Sequence, residues 1–495
     1  MQASPVTVDR KDPRFDTLKK GNNLRFPATD AEAASRIVLC SDEAEVSEAL
    51  QRVVASGIRP TVRSGGHCYE DFVANNPHGA IIDLSLHNQI GAGPSPNSFR
   101  IASGARLGEI YQSLYKRFNV TLPAGTCYMV GAGGHISGGG YGLLARQHGL
   151  TVDWITAMDL LTVNAKGTVV ERRIDKSHDP DLFRACRGAG GGNFGIITNF
   201  IFDKLPDSPR EVAEASLSFA WASMTEEKFN RLLTIYGDYW NGRGRNPETW
   251  GLSVVMVVGP GNHPGSRIIM DAQYCNAQGN ASDLTVLHEF FDLFAEFDPA
   301  HDAKARQDRY EIKRRPWLDA TLAGGDSGGA VRAKYKSTYM KQPFVKAECH
   351  TLYKYLTSPG IDAHGFVLAI DGYGGATNMP GCAQETAIAQ RSSIMKLQWQ
   401  CYWEDKDDDE EHLKFMDDIY TAMYTGTHVP REYQGTPFGD RYEGCYMNYA
   451  DADMLRYGYW PQLYYGTAGL YPFLQQVKKR YDPNNIFHSS MSVRS

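Results

Sequence analysis

The chain is predicted to be an α+β protein of two domains, and three features of the sequence predict it. At 495 residues it exceeds the roughly 250–300 at which a single hydrophobic core stops growing. Up to about residue 206, short apolar runs alternate with stretches of helical periodicity and end repeatedly in glycine-rich turns. From about Asp207 the glycine clusters stop, and longer strand-like runs alternate with amphipathic helices, the pattern of an antiparallel sheet backed by helices.

Arg36–Cys40 reads as a short buried strand. Asp42 then caps a helix that carries Val46, Leu50, Val53 and Val54 on one face and closes at Gly57. Ile58–Val62 is the next strand and runs straight into the turn Ser64–His67. This β-α-β unit delivers a glycine-rich turn at the C-terminal end of a strand, where open α/β sheets bind their ligands. The same plan is expected again in Phe99–Ala102, a helix near Leu107–Phe118, a strand Val120–Leu122 and the loop holding Cys127. Asp159–Val163 and Thr168–Arg172 flank Asn164-Ala165-Lys166-Gly167 as a hairpin. Gly188–Gly195 is a third glycine-rich turn, leading into a strand Ile196–Phe202.

In the second part, strands are expected at Trp250–Val258, Ile268–Cys275, Gly365–Asp371 and Met395–Trp403. Helices are expected at Thr225–Tyr239, Asp283–Phe294 and Asp409–Tyr424, the last entered through the solvated acidic run Asp405–Glu411. Near the end, Leu470, Phe473, Leu474, Val477 and Tyr481 fall at helical spacing. Lys478, Lys479 and Arg480 occupy that helix's last turn, where the dipole favours cations, before Pro483.

Composition excludes several classes. Hydrophobic residues make up 42% and charged residues 22%, the balance of a globular chain. A net charge of −6 without a concentrated basic patch argues against nucleic acid as a partner. No apolar run reaches the ~18–20 residues that span a bilayer. Nine cysteines, without C-x-x-C pairs and odd in number, argue against zinc and against a complete disulfide framework. Most read as small buried hydrophobes. His67, His87, His135 and His148 show no metal-ligand spacing, so no metal is expected. Met1–Pro5 lack the basic start and apolar stretch of a signal peptide, which favours a cytoplasmic protein. Asn119-Val120-Thr121 and Asn280-Ala281-Ser282 match the N-glycosylation pattern and keep a secreted protein with its leader removed open.

Two reactive residues stand beside the glycine clusters: His67 ends Arg63-Ser64-Gly65-Gly66-His67, and Cys127 precedes Gly131-Ala132-Gly133-Gly134-His135. Glycine turns let backbone N–H groups approach phosphate or carbonyl oxygens closely. An imidazole and a thiol beside such turns suggest covalent capture of an electrophilic cofactor, with flavin the natural candidate. Either residue alone reads as readily as a satisfied turn histidine or a buried thiol. Their joint placement with the third cluster, Gly191-Gly192-Asn193-Phe194-Gly195, favours the cofactor. Gly138-Gly139-Gly140-Tyr141-Gly142 lacks the spacing of a dinucleotide fingerprint.

These segments, with Asp482-Pro483-Asn484-Asn485-Ile486-Phe487 near the end, resemble the berberine bridge enzyme-like flavoproteins of the vanillyl-alcohol-oxidase fold superfamily. The resemblance runs from about Asp12 to Val493, and is greatest to members of the glucooligosaccharide oxidase and aclacinomycin oxidoreductase types. It implies a two-domain FAD-linked oxidase fold: an FAD-binding domain of two α/β subdomains at 1–206, a substrate domain at 207–445, and a segment 446–495 that returns to the FAD domain. It implies FAD bonded covalently through His67 and Cys127, with Arg63, Ser64, Gly65 and Gly66 at the pyrophosphate. His135 would lie by the flavin's ribityl chain and N1 edge, where a donor stabilises the reduced ring. Val130, Gly131, Gly134, Gly138, Gly139, Gly140, Gly142, Asn193, Gly195, Ile197 and Asn448 complete the implied FAD contacts. Valine at 130 goes, in the family, with oxidases that admit O₂ above the ring.

On the substrate side, Asn448-Tyr449-Ala450-Asp451 resembles the family motif whose tyrosine is the base, so Tyr449 takes that role and Tyr446 is its neighbouring alternative. Asp371, in Ala369-Ile370-Asp371-Gly372-Tyr373-Gly374-Gly375, matches the aspartate of the sugar oxidases; a turn-capping aspartate is the plainer reading. Forming phenolate from a free tyrosine at pH 7 costs about 4 kcal/mol, and Asp371 beside Tyr449 is expected to accept or polarise the phenol proton. Trp250, Trp317, Tyr353, Trp399 and Trp403 are available for sugar stacking, the last two least suited because they lie in an apolar strand.

The function implied is oxidation of an alcohol, foremost the anomeric hydroxyl of a mono- or oligosaccharide, to a lactone with reduction of O₂ to H₂O₂. A tailoring oxidase for a glycosylated or polyketide metabolite is the second reading, and a binding protein that has lost its chemistry is the third. The chain is expected to act as a monomer on a small-molecule or oligosaccharide substrate and O₂, with no nucleic acid and no membrane. Ser489–Val493 departs from the family's Gln-Ser-Ile ending, and Cys68 receives no role.

Overall fold

The computed structural model describes residues 4–263, 265–297, 310–324, 328–361 and 363–495. Three sheets organise them. The first holds β1 (Val6–Asp9), β2 (Arg36–Leu39), β3 (Pro60–Arg63) and β4 (Ala80–Asp83) in the order β1-β2-β4-β3. β2, β4 and β3 run parallel and β1 closes one edge antiparallel. The helix Glu43–Ala55 starts as its sequence dictates, with the Asp42 carboxylate accepting the Glu45 N–H. The crossover to β3 skips one place, because a further strand, β4, lies between the two expected ones.

The second sheet is antiparallel: β5 (Ile90–Ala92), β6 (Phe99–Ala102), β7 (Ala157–Val163), β8 (Val169–Asp175) and β9 (Ile196–Phe202), in the order β5-β6-β9-β7-β8. The helix Leu107–Phe118 follows β6 as expected and ends on Asn119 in the left-handed conformation. The expected strand at Val120–Leu122 does not form. Only Val120 makes a bridge, to Asp207, and Pro123 has no N–H with which to continue a ladder. The second unit is therefore not a repeat of the first.

The third sheet has seven antiparallel strands: β10 (Glu211–Ala220), β11 (Leu252–Val258), β12 (Arg267–Tyr274), β13 (Ile312–Pro316), β14 (Arg332–Met340), β15 (Phe366–Gly372) and β16 (Met395–Trp403). Their order is β13-β10-β12-β11-β15-β16-β14. Helices Glu226–Asn241, Lys346–Thr357 and Asp409–Met423 pack together behind it. β14 is an edge strand, and its free side is covered by other chain segments: Leu24 donates to the Val331 carbonyl, Tyr339 to that of Gly444 and Lys341 to that of Arg441. One continuous hydrophobic core runs from Phe99 and Ile101 of β6 through Leu397 and Trp399 of β16.

The last helix, Leu470–Tyr481, packs on the helix Pro180–Cys186 of the first half. The Asp482 carboxylate accepts from Lys478 Nζ at 2.7 Å and from the Ile486 and Phe487 N–H groups at 2.8 and 2.9 Å. Lys478 also donates to the Asn193 carbonyl at 2.7 Å, and Val493 donates to Asn193 Oδ1 at 2.8 Å. Both Lys478 and Asp482 are fully buried, so Asp482→Ala would leave an ammonium without its counter-charge. That variant is expected to lose about 3–5 kcal/mol of unfolding free energy in denaturant titration, with Asp482→Ala/Lys478→Met recovering part of the loss.

Candidate active site

A cavity of about 800 Å³ takes its walls from all three sheets, and its size is that of a cofactor or small-molecule site. Its two halves differ in kind. One is mostly glycine backbone: Ser64–Gly66, Gly131, Gly133, Gly134 and Gly190–Gly195. There the loops approach so closely that a Cβ on Gly65 would lie 2.3 Å from the Gly131 nitrogen, and one on Gly131 would lie 2.1 Å from Ser64 Oγ. Gly134 and Gly192 face open space instead. Such a cradle suits the phosphates and ring edge of a dinucleotide, which need N–H donors and close approach rather than side chains.

His67, Ser64, Gly65, Gly66, Cys127, Val130, Gly131, Gly134, His135, Gly142, Asn193, Gly195, Ile197 and Asn448 all line this cavity. Cys127 is the one exposed thiol of the nine, and six of the others are buried. Burial and the nearby Arg106 hold His67 down at about 4, so its imidazole is neutral and keeps a lone pair. His135 is likewise lowered to about 4, by burial and then by the Lys396 ammonium. Its Nε2 accepts the Gly125 N–H at 3.0 Å, which puts the ring proton on Nδ1 as a donor. Asn448 Nδ2 donates to the His135 carbonyl at 2.8 Å and to Tyr446 Oη at 3.0 Å.

Three expected cofactor contacts do not line the cavity, and a fourth lines it with its charged group engaged elsewhere. Gly138, Gly139 and Gly140 are packing glycines: a Cβ there would meet Asn448 at 2.0 Å, Ile388 at 3.2 Å and Thr151 at 2.2 Å respectively. Arg63 lines the cavity, but its guanidinium is spent on Asp83 at 2.5 Å and on the carbonyls of Leu18 and Lys20.

The other half of the cavity is side chains. Along β16, Lys396, Gln398, Gln400 and Tyr402 alternate with Leu397, Trp399 and Cys401, and the first set faces the cavity. Asp371 on β15 is the register partner of Lys396, and the two form an ion pair at 2.8 Å. Lys396 Nζ also donates to Tyr449 Oη at 3.2 Å and stands 4.3 Å from the centre of the Tyr141 ring. Asp371 therefore reaches Tyr449 through an interposed lysine. Burial pushes the Tyr449 phenol well above its ordinary value and the Asp371 charge adds to that, so the carboxylate by itself opposes phenolate. Lys396 is the cation in hydrogen-bond contact with the oxygen. It was not anticipated, although a lysine in the middle of an apolar strand is a signal in its own right.

Tyr446 differs from Tyr449 in how its oxygen is engaged. Its oxygen already accepts from the Gly140 N–H at 3.1 Å and from Asn448 at 3.0 Å. The five aromatics expected to stack on sugar do not line the cavity; Trp317, Trp399 and Trp403 are buried in the core, and Tyr353 packs on Trp221 and Phe229. Tyr69, Tyr335 and Tyr402 line it instead. Tyr69 and Tyr335 stack with centres 3.5 Å apart, and Gln398 Nε2 donates to Tyr69 Oη at 3.3 Å.

Comparison with known proteins bears on this arrangement. The FAD binding domain model matches residues 34–172 and the berberine and berberine like model matches 445–494. The aclacinomycin-N/aclacinomycin-A oxidase of Streptomyces galilaeus is 34% identical, over 99% of this chain and 90% of that one. The chain belongs to the berberine bridge enzyme-like family of FAD-linked oxidases. The hexose oxidase of Chondrus crispus is 31% identical over 98% of this chain and 94% of its own. Among solved structures, aclacinomycin oxidoreductase superposes with a TM-score of 0.88 at 31% identity, covering 99% of this chain and 100% of its own. A glycopeptide hexose oxidase complexed with teicoplanin superposes at 0.87 and 32%, covering 100% and 99%. The two-domain FAD-binding oxidase fold is thus the expected one, and the protein is an FAD-linked oxidoreductase. Among the described residues no group of His, Cys, Asp and Glu could hold a metal ion, and no helix is long and apolar enough to cross a membrane.

The depressed His135 generates a pH dependence. Its folded value of about 4 lies below the ordinary 6.5, so its contribution to stability is complete above about pH 6.5 and is lost as pH falls through 4. The denaturation midpoint is expected to drop over that window, and His135→Gln, which keeps an acceptor for Gly125, should flatten the drop by about 1 kcal/mol or more at 1.36 kcal/mol per pKa unit.

Proposed function

We propose that this protein is a carbohydrate oxidase that converts the anomeric hydroxyl of a sugar to a lactone and reduces O₂ to H₂O₂. The observation that carries the proposal is the Asp371–Lys396–Tyr449 chain, at 2.8 and 3.2 Å, set beside two glutamines and three tyrosine rings in one cavity. Amides suit sugar hydroxyls, and aromatic faces suit pyranose rings. FAD would be held by residues 1–206 and 446–495, with the sheet of 207–445 forming the substrate wall; the glycine cradle and the spans of the two family models support that division. His67 and Cys127 both border the cradle, the first a neutral imidazole and the second an exposed thiol, which supports attachment at both.

Bound FAD would supply the hydride acceptor for the anomeric carbon and the route for electrons to O₂. The residues of the chain do the rest. Tyr449 takes the hydroxyl proton. Phenolate at pH 7 costs about 4 kcal/mol from an ordinary phenol, and burial adds to that; a charge-assisted hydrogen bond from Lys396 offsets roughly 1.5–3 kcal/mol. Asp371 anchors that ammonium by its ion pair. His135 lines the same cavity, and its Nδ1 proton would meet negative charge collecting on a reduced ring.

A second reading has its own support. Relatives are named for aclacinomycin and for a glycopeptide, so the sugar oxidised here could be one carried on a larger metabolite. A panel of free mono- and oligosaccharides read out by peroxide decides between them: turnover of free sugars is expected, and inertness toward all of them would favour the metabolite-borne sugar.

Tyr449→Phe is expected to lower kcat by about 10²–10⁴ with the yellow colour retained, the range that a positioned proton acceptor contributes. Lys396→Met should move the acid limb of the kcat profile to higher pH, since the phenol loses its stabilising cation. An unmoved limb would take Lys396 out of the mechanism. His67→Ala and Cys127→Ala should each keep flavin in an acid-precipitated pellet and the double variant should not. Peptide mass spectrometry that found the cofactor's mass on neither fragment would refute the double attachment.

A further inference from the structure

From Glu70 on the cavity wall to the far face of β14 runs a second set of buried charges that the chemistry above does not use. Lys334 and Lys336 alternate with Tyr335 along β14, so they leave the strand on the face away from the cavity, in register with Cys401 and Trp399. Their side chains are 2% and 0% exposed. Lys334 Nζ stands 2.7 Å from Glu70 and 2.7 Å from Asp451. Lys336 Nζ stands 2.8 Å from Asp451 and 2.7 Å from Asp453. Glu70 and Asp451 are themselves almost wholly enclosed.

These carboxylates belong to the two loops that carry the reactive groups. Glu70 follows Tyr69 and lies three residues after His67; Asp451 lies two after Tyr449. Glu70 Oε1 also accepts the Ala452 N–H at 3.3 Å, a direct bond between the loops. β14 adds two further ties: Ser337 Oγ donates to the Tyr449 carbonyl at 3.4 Å and accepts the Tyr446 N–H at 2.8 Å. We propose that Glu70 and Lys334 are positioning residues that lock the His67–Tyr69 loop to the Tyr449 loop and thereby set Tyr449 Oη against Lys396.

Buried ammonium and carboxylate groups tolerate little displacement, because each must keep its partner in a place water does not reach. One ammonium bonded to carboxylates from two loops therefore couples their positions more tightly than separate surface pairs would. Across the cavity, the coupling shows in the Tyr69 ring, which stacks on Tyr335 of β14 and lies 5.8 Å from the Tyr449 ring at 24°. The groups facing the Tyr449 phenol are Lys396, Asp371, Tyr446, Tyr69, Cys127 and Tyr402. Of these only Lys396 favours phenolate. A loop that slips loses that contact first, and the phenol becomes harder to ionise.

The proposal rests on Tyr449 being the base, and its test separates the two. In the flavin-loaded full chain, Glu70→Ala is expected to lower kcat about ten-fold or more, with KM within about two-fold, as a small misplacement of a reacting group does. The acid limb of kcat should move to higher pH by about half a unit or more as the Lys396 contact weakens. Glu70→Gln keeps an acceptor for Lys334 and Ala452 and should restore both towards wild type. Lys334→Met should act as Glu70→Ala does, and more strongly; if it does not fold, the two Glu70 variants carry the test. A lowered thermal midpoint in Glu70→Ala with native kcat and an unmoved acid limb would reduce the cluster to a structural one and overturn the proposal. Tyr449→Phe tells the failures apart: near-native turnover there removes the base and the positioning role together, whereas an inactive Tyr449→Phe beside a native Glu70→Ala removes the positioning role alone.

Discussion

The site depends on one constraint: an ammonium buried in the sheet must be neutralised where it stands. Lys396 is 1% exposed, and it meets that demand with a carboxylate from the neighbouring strand and a phenol from a loop near the C-terminus. Because β15 and β16 are held in register by their ladder, Asp371 and Lys396 cannot drift apart. The Tyr449 loop is the movable partner. Its carbonyls, N–H groups and carboxylates are secured by β14, the strand on the other side of β16.

The cavity divides its work between backbone and side chains for a physical reason. Phosphate and ring-edge recognition needs many N–H donors at close range, which glycine turns provide and a Cβ would obstruct, as the near contacts at Gly65 and Gly131 make plain. Substrate recognition and proton transfer need particular functional groups at set heights. A strand provides these, projecting every second residue into the cavity at a spacing of about 7 Å. The glycine wall comes from the first two sheets and their loops, and the side-chain wall from the third.

Much of the scaffold was legible because its signals are local. The Asp42 cap, the helix Leu107–Phe118 and the strand Ile196–Phe202 stand where capping, periodicity and apolar runs place them. The segment after the last helix was legible as a motif but not as a mechanism: its aspartate neutralises Lys478, which in turn holds the Asn193 carbonyl. Strands β1, β4, β5, β10, β13 and β14 escaped notice. β10 is rich in alanine and glutamate, and β14 reads as a surface segment because of its lysines. Those lysines are buried only because carboxylates from two distant loops cover them.

The chain itself determined the ingredients of the site: glycine where backbone must come close, a histidine and a cysteine beside those turns, and a tyrosine and an aspartate in recognisable surroundings. Glycine's missing Cβ and the period of a strand act over a few residues, so they are written locally. Tertiary structure decided the connections. It put Lys396 between Asp371 and Tyr449, assigned the aromatic wall to Tyr69, Tyr335 and Tyr402 rather than to the tryptophans, and turned Gly138, Gly139 and Gly140 to packing. Electrostatic pairing and ring contact are set by distance in space, between residues such as Lys334 and Glu70 that lie far apart along the chain.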